Sequence, residues 1–172
     1  MHYTALFVIV MAMNNKSIVR FTVVVAALAV IVGLAFAYTQ IRNTRYYIND
    51  GAAMEPTISA GQELRATAVK PEQVSRGDII ILNSEFINGQ QVRRVIGLPG
   101  DTVVIEDGAI LVQIVDGSTY IPKFSKTPET EVAPKVVQPE TYYVIGDNTF
   151  NSFDSRRYGG VPFSSYEATV DR

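Results

Sequence analysis

The sequence contains no cysteine and no tryptophan, and its only histidine, His2, is the second of 172 residues. Without cysteine the chain forms no disulfide, no cysteine-ligated zinc site and no thiol nucleophile. One histidine near the start of the chain builds neither a histidine-based catalytic triad nor a multi-histidine metal site. We therefore expect no metal and no other cofactor, while cysteine usage leaves the cellular compartment open.

Charge of either sign is not in excess. Fifteen Lys and Arg residues nearly balance seventeen Asp and Glu residues, which gives a net charge of −2. A strongly basic surface, which nucleic acid would require, is therefore not expected. The length suits one domain of about 100–200 residues together with an anchoring segment.

Residues 21–38, FTVVVAALAVIVGLAFAY, carry no charge. As a helix they would span about 27 Å, close to the roughly 30 Å of a bilayer's hydrocarbon core. A buried core helix is the less favoured alternative, because every face of the segment is apolar. A cleavable signal peptide is a second alternative, since 35-AFA-37 has the form of a cleavage site, but the apolar run exceeds the usual length of about 7–15 residues.

We therefore predict an uncleaved membrane anchor over residues 18–39, preceded by a cytoplasmic segment over residues 1–17. Residues 1–12 are apolar but short, and Met13 is a plausible alternative start of the protein. Lys16 and Arg20 precede the apolar run and Arg42 and Arg45 follow it, so charge alone leaves the orientation open. Residues 40–172 are expected to form the folded domain.

This domain has the sequence texture of β-structure, with short runs rich in Val, Ile and Tyr between Gly, Pro and Asp. The predicted strands are 78–83, 91–97, 102–106, 109–115 and 142–146. A type II turn is expected at 98-LPGD-101 and a hairpin turn at 107-DG-108. Residues 116–140 contain four prolines, and we expect them to form an extended excursion outside the core.

Four stretches, in this order, resemble bacterial type I signal peptidases, the membrane-anchored serine endopeptidases that use a Ser-Lys dyad to remove signal peptides from exported proteins. The stretches are 53-AMEPTI-58, 76-RGDII-80, 93-RRVIGLPGD-101 and 146-GDNTFNSFDSR-156. The resemblance implies a mostly β domain, a folded β-sheet or barrel, behind one N-terminal transmembrane helix. It also implies a single-pass protein of the plasma membrane whose β domain is extracytoplasmic. Signal peptides or other extended peptides would add as a strand beside the site.

The chain departs from the family pattern at both dyad positions. The family's nucleophilic serine is replaced by Ala53, and its general-base lysine is replaced by Arg93. Ala53 has no side-chain atom that attacks a carbonyl, and a guanidinium stays protonated in proteins and only donates hydrogen bonds. Thr57 and Ser59 lie too far along the chain to occupy the nucleophile's position. The sequence therefore predicts loss of the family's activity.

Other site positions match the family. The backbone N–H of Ala53, next to Gly51, would form part of an oxyanion hole. Ser152 matches the serine that orients the lysine, with a turn hydroxyl as the alternative role. Asp154 and Arg156 match a charged pair that supports the site, with a solvated surface pair as the alternative.

Five further positions have roles that are harder to distinguish from an ordinary structural role. Met54 and Ile58 would lie near the pocket for small residues at the cleavage site, although both residue types are equally expected in a hydrophobic core. Pro56 is expected to support the loop. Asp147 and Asn148 are expected to stabilise the turn after the last predicted strand.

Three functional hypotheses follow. The first is an inactive signal peptidase homologue that still binds extended peptides or assists assembly at the membrane. The second is an active signal peptidase inactivated by deliberate Ser-to-Ala and Lys-to-Arg replacement, and the retained site residues favour recent or artificial loss. The third, a self-cleaving repressor-type regulator with the same Ser-Lys fold, is disfavoured by the anchor, because such regulators are soluble.

Overall fold

A computed structural model describes residues 15–84, 89–129 and 131–171. The predicted alternative start at Met13 and most of the segment before the anchor lie outside the described residues. The chain divides into two compact units, with the boundary between Asn43 and Thr44. The first unit contains one long helix, and the second contains all the strands of the described residues.

The helix α1 spans Asn15–Asn43. Its apolar side chains are exposed, with Val32, Leu34 and Phe36 each at 66%. Within it, Asn15–Thr39 is long and apolar enough to cross a membrane. A core helix would bury such residues, so their exposure favours a helix that is surrounded by lipid.

The β unit consists of two antiparallel sheets. The first has seven strands in the order β1-β2-β11-β3-β4-β9-β10, and the second has four in the order β7-β6-β5-β8. The strands are β1 (Thr44–Ile48), β2 (Glu63–Thr67), β3 (Ile79–Ser84), β4 (Gly89–Gly97), β5 (Thr102–Glu106), β6 (Ala109–Gln113), β7 (Thr119–Tyr120), β8 (Glu131–Val136), β9 (Thr141–Ile145), β10 (Val161–Pro162) and β11 (Tyr166–Val170). A short helix, α2, spans Ser155–Tyr158. The expected mostly β fold behind one apolar N-terminal helix is confirmed.

All five predicted strands are present, as β3, β4, β5, β6 and β9. Both predicted turns are present as well. Asp107 and Gly108 have φ values of 49° and 69°, as a two-residue hairpin turn requires. Gly100 has φ of 90°, and the N–H of Asp101 donates to the carbonyl of Leu98 at 3.0 Å.

The prediction for residues 116–140 was wrong in part. The strands β7 and β8 complete the four-stranded sheet, and Val137 is 3% exposed in its core. Pro134 lies within β8, which is an edge strand with an irregular register against β5. An edge strand tolerates proline because one side of its backbone needs no ladder hydrogen bonds.

Strand alternation distributes the core over both faces of the large sheet. On β3, Ile80 and Leu82 pack in one cluster, while Ile81 packs in another on the opposite face. On β9, Tyr142 joins the first cluster, and Tyr143 joins a third that covers the four-stranded sheet. The strands β3 and β9 are thus buried on both faces, which fixes the elements that flank the site.

Candidate functional site

Ala53 lies in a 3-10 turn, Ala52–Met54, which follows β1. Two hydrogen bonds attach this turn to the segment after β9: the Asn148 N–H donates to the carbonyl of Ala53 at 2.9 Å, and the Asn148 side-chain amide donates to that of Ala52 at 3.3 Å. A Cβ added to Gly51 would meet no atom within 4 Å. The folded chain therefore leaves open space beside the expected oxyanion hole at Gly51 and Ala53.

Arg93 lies on β4 and is only 8% exposed. Its Nη1 donates to the carbonyl of Val92 at 2.7 Å, and its Nη2 donates to the carbonyl of Phe153 at 2.9 Å. Its Nε is buried and has no partner among the described residues. Ser152 does not hydrogen-bond to this side chain, because its Oγ is also buried and has no partner in the part of the chain that the structure describes.

Burial lowers the pKa of Arg93, and Tyr158 and Asp154 oppose this effect. Tyr158 lies beside it, and burial raises the pKa of this tyrosine to about 12. A guanidinium remains charged at neutral pH even so. The position is thus one where a charged side chain is poorly solvated, and a lysine placed here would have its pKa lowered by the same burial.

Ala53 and Arg93 line the same pocket, of about 270 Å³. The sequence resemblance predicted this juxtaposition across 40 residues. Gly51, the other residue expected at the oxyanion hole, lines the pocket as well. The remaining lining residues were not predicted from the sequence; they are Asn49, Asp50, Ala52, Gln90, Gln91, Val92, Asn151 and Phe153. A larger cavity of about 560 Å³ is lined by Glu55, Pro56 and residues 123–126 and 147–150. We take the smaller pocket as the candidate site because it unites the two dyad positions.

Gly146 directly follows β9, and the turn that contains Ala53 packs against it. A Cβ added to Gly146 would overlap the carbonyl oxygen of Ala53 and the side chain of Ser152. A side chain at position 146 would therefore push these two residues apart. Glycine is needed here for close packing, and the role was not recognised in the sequence.

Asp154 and Arg156 form a fully buried pair rather than a solvated one. Arg156 donates from Nε and Nη2 to the two carboxylate oxygens of Asp154, each at 2.8 Å. Asp154 also caps α2 by accepting from the N–H of Arg156, and it accepts from the N–H of Gly146 at 3.0 Å. Glu129 adds a second carboxylate at 3.1 Å from Arg156. The pair thus ties α2 to the end of β9.

Asp147 was expected to stabilise a turn, but it forms a buried ion pair. Arg94 donates from Nε and Nη2 to its two oxygens, at 2.7 and 2.5 Å. The Asp147 side chain is fully buried, and that of Arg94 is 16% exposed. The sequence analysis gave Arg94 no role, and this pair was not predicted.

Met54 and Ile58 lie in the hydrophobic core. Met54 is fully buried and Ile58 is 4% exposed, and both pack in the cluster that contains Ile81. Neither lines the pocket between Ala53 and Arg93. Pro56 lies on the loop after this turn and lines the larger cavity. Met54 and Ile58 therefore lie in the hydrophobic core, which was the alternative role given to them.

The first half of β4 has an open edge. This strand pairs with β3 from Gly89 to Arg94. On its other side, pairing with β9 begins only at Arg94. Among the described residues, no strand covers this second side before Arg94, and Gln90 to Arg93 line the pocket there. An extended peptide can pair with such an edge.

Comparison with known proteins gives a consistent result. A family model described as "Signal peptidase, peptidase S26" matches residues 16–171. Signal peptidase I T of Bacillus subtilis (strain 168) is 33% identical over 125 residues, which cover 67% of this chain and 65% of that protein. Signal peptidase I of Bacillus amyloliquefaciens is 33% identical over 147 residues, 78% of each chain. A crystal structure of a signal peptidase I from Enterococcus faecalis V583 has 27% identity and a TM-score of 0.46, covering 58% of this chain and 97% of that one.

The match spans nearly all of the β unit and most of α1. The chain therefore belongs to the signal peptidase family, peptidase S26. The match covers 65% of the length of the first of these relatives. The activity and substrates of this chain are therefore inferred from the geometry of its own site.

Proposed function

We propose that this chain is a membrane-anchored, non-catalytic signal peptidase homologue that binds signal peptides or other extended peptides without cleaving them. The observation that carries the proposal is the chemistry of the pocket lining. None of its described residues has a hydroxyl, thiol, amine or imidazole group. Peptide hydrolysis through a covalent intermediate needs one of these groups as the nucleophile and another group that accepts its proton.

Neighbouring hydroxyl groups do not replace the missing serine. Thr57 lines a different cavity, with Ile58 and Leu64, and Ser59 is exposed outside the pocket. The Oγ of Ser152 is buried and does not line the pocket. Each of these groups is therefore misplaced for attack on a peptide held between Ala53 and Arg93.

The pocket also has no replacement for the general base. Arg93 remains protonated, and both oxygens of Asp154 are occupied by Arg156 and Gly146. Asp50 is the one carboxylate that lines the pocket, and it is exposed. It has no nucleophile among the described residues of the pocket to deprotonate.

Peptide binding has support from the same geometry. The uncovered edge of β4 offers backbone hydrogen bonds to an extended chain, and four carboxamide side chains line the pocket. Backbone pairing gives affinity without requiring a reactive group. The proposed orientation places the N-terminus of α1 inside the cell and the β unit outside the plasma membrane, where exported peptides emerge.

The double reversion Ala53→Ser with Arg93→Lys tests the proposal. Cleavage of a preprotein with a small-x-small junction should appear only when both residues are restored, because the buried position lowers the pKa of a lysine and Gly146 and Asp154 still support the turn. Loss of a serine nucleophile costs about a million-fold in turnover, so each single reversion should stay near background. Cleavage by the unaltered chain would contradict the proposal, and an inert but folded double variant would show that Ala53 and Arg93 alone do not account for the loss of activity.

A further inference from the structure

Arg93 is a buried cation without a nearby counterion. Among the described residues, no carboxylate oxygen lies within 4.0 Å of its guanidinium. Asp154 interacts with it at longer range, but that carboxylate is neutralised directly by Arg156. The hydrogen-bonding neighbours of Arg93, the carbonyls of Val92 and Phe153 and the hydroxyl of Tyr158, are neutral. A buried charge in such surroundings gains from an anion.

The guanidinium has donors left over for such an anion. Each Nη atom carries two N–H groups, and each gives one to a backbone carbonyl. Tyr158 also contacts this side chain through its hydroxyl. A second Nη hydrogen is the donor that a ligand in the pocket would use, while the two carbonyls hold the guanidinium in place.

The chemistry of peptide hydrolysis indicates which anion would lie next to Arg93. In a peptidase, the carbonyl under attack lies between the nucleophile and the base. After cleavage, that carbonyl carbon becomes the carboxylate at the new C-terminus of the released peptide. Here Ala53 and Arg93 occupy those two positions of the pocket. A C-terminal carboxylate would therefore lie against a permanent positive charge, whereas an uncut chain would present a neutral amide.

We propose that this pocket is a receptor for the free C-terminal carboxylate of a peptide, with Arg93 as its cationic partner. The ligand class is a chain that ends in the pocket, such as a released signal peptide ending in a small residue, rather than an intact precursor that passes through. This inference rests on the proposed peptide-binding function and specifies the end of the peptide that is recognised.

Asp50 acts against the same ligand. It lines the pocket as well, and its negative charge repels a carboxylate. Its side chain is exposed, so water screens its charge more strongly than that of Arg93, which is 8% exposed. The balance therefore favours the anion, and Asp50→Asn is expected to strengthen binding.

The test uses the full chain in detergent micelles and three fluorescent peptides with one sequence ending in Ala-x-Ala. The first has a free C-terminal acid, the second a C-terminal amide, and the third continues for five residues. Anisotropy titrations should show that the acid binds at least about tenfold tighter than the amide or the continued peptide, as expected for one charge-assisted hydrogen-bond pair. Asp50→Asn should increase the affinity for the acid, and added acetate alone should compete weakly.

Matched variants separate recognition from folding. Arg93→Gln should reduce the acid-to-amide ratio to about one, whereas Arg93→Lys should keep a preference for the acid because it keeps the charge. Arg65→Gln removes an exposed arginine that pairs with Asp171 on β2 and should leave the ratio unchanged. Equal binding of acid and amide would overturn this inference and leave the peptide-binding function standing. No binding of any peptide would reject both.

Discussion

At the scale of single residues, Ala53 and Arg93 differ in how completely they change the site. Ala53 removes the attacking atom but keeps the backbone, which Asn148 still holds by two hydrogen bonds. Arg93 keeps a positive charge and adds a branched guanidinium that binds two carbonyls. In the function proposed above, the first change removes the reaction and the second adds a cationic partner for a ligand.

Gly146→Ala should destabilise the β unit by about 1–3 kcal/mol, because the new methyl group overlaps Ala53 and Ser152 in a packed region. Chemical denaturation measures the change. Gly51→Ala is the matched control: it meets no atom within 4 Å and its φ of −131° suits alanine. It should alter stability by no more than about 0.5 kcal/mol. Equal effects of the two substitutions would contradict the packing described.

Tyr158 should make the protein less stable at alkaline pH. Burial raises its pKa from 10.0 to about 12, so between these values the unfolded form loses a proton that the folded form keeps. Stability therefore falls as pH rises from about 10 to 12, by at most about 1.4 kcal/mol per pH unit for this group. Denaturation series on the wild type and Tyr158→Phe measure the difference. An unchanged slope in the variant would count against this assignment.

The sequence predicted the residues that carry family motifs better than their neighbours. The pairing of Asp154 with Arg156 was expected, and the structure adds that it is buried and reaches Gly146. The ion pair between Arg94 and Asp147 was missed, because nothing local links residues 53 positions apart. The lining residues Gln90 and Gln91 were missed for the same reason: their placement depends on which side of β4 is left unpaired.

At the scale of elements, short segments depend on buried pairs rather than on their own propensity. The helix α2 has only four residues, too few to be stable alone, and Asp154 caps it while Arg156 anchors it. The strand β4 is continuous on one side and half open on the other. Its open half is the part that meets the pocket.

Arg156→Met should cost about 3–5 kcal/mol of stability, because it leaves the buried charge of Asp154 without its partner. Thermal or chemical denaturation provides the measurement. Arg65→Met is the matched control, since its side chain is 63% exposed in a surface pair with Asp171. That variant should lose no more than about 1 kcal/mol. A small loss for Arg156→Met would show that α2 is held by other contacts.

Elements with strong alternation or turn signals were predicted, and the remaining strands were not. The strands β3 and β5 follow continuous or alternating apolar runs, so their type was clear. The strands β7 and β10 have two residues each, and β1 and β2 mix charged residues with few buried ones. Such strands form because a partner is already in place, which is information that a local window does not contain.

At the scale of the whole molecule, the chain combines one exposed apolar helix with a β unit that has its own core. The helix has the length and composition of a membrane span, and the three buried clusters all belong to the β unit. The helix α1 thus has the composition of a segment in lipid, and the β unit has that of a domain folded in water. A non-catalytic peptide-binding domain fixed at the membrane surface is consistent with this division.

The natural absence of cysteine allows a direct test of membrane orientation. A single cysteine at Glu106, which is exposed at the end of β5, should react with an impermeant maleimide added to intact cells. The matched variant Lys16→Cys, at the other end of α1, should react only after permeabilisation. The opposite labelling pattern would reverse the proposed topology.

The proposed activity of the chain is peptide binding without hydrolysis. The most direct measurement is intact-mass spectrometry of a small-x-small preprotein after prolonged incubation with the unaltered full chain in detergent micelles. The preprotein mass is expected to stay unchanged, while the double variant Ala53→Ser with Arg93→Lys should release the signal peptide under the same conditions. Accumulation of the mature mass with the unaltered chain, above the rate without protein, would contradict this proposal.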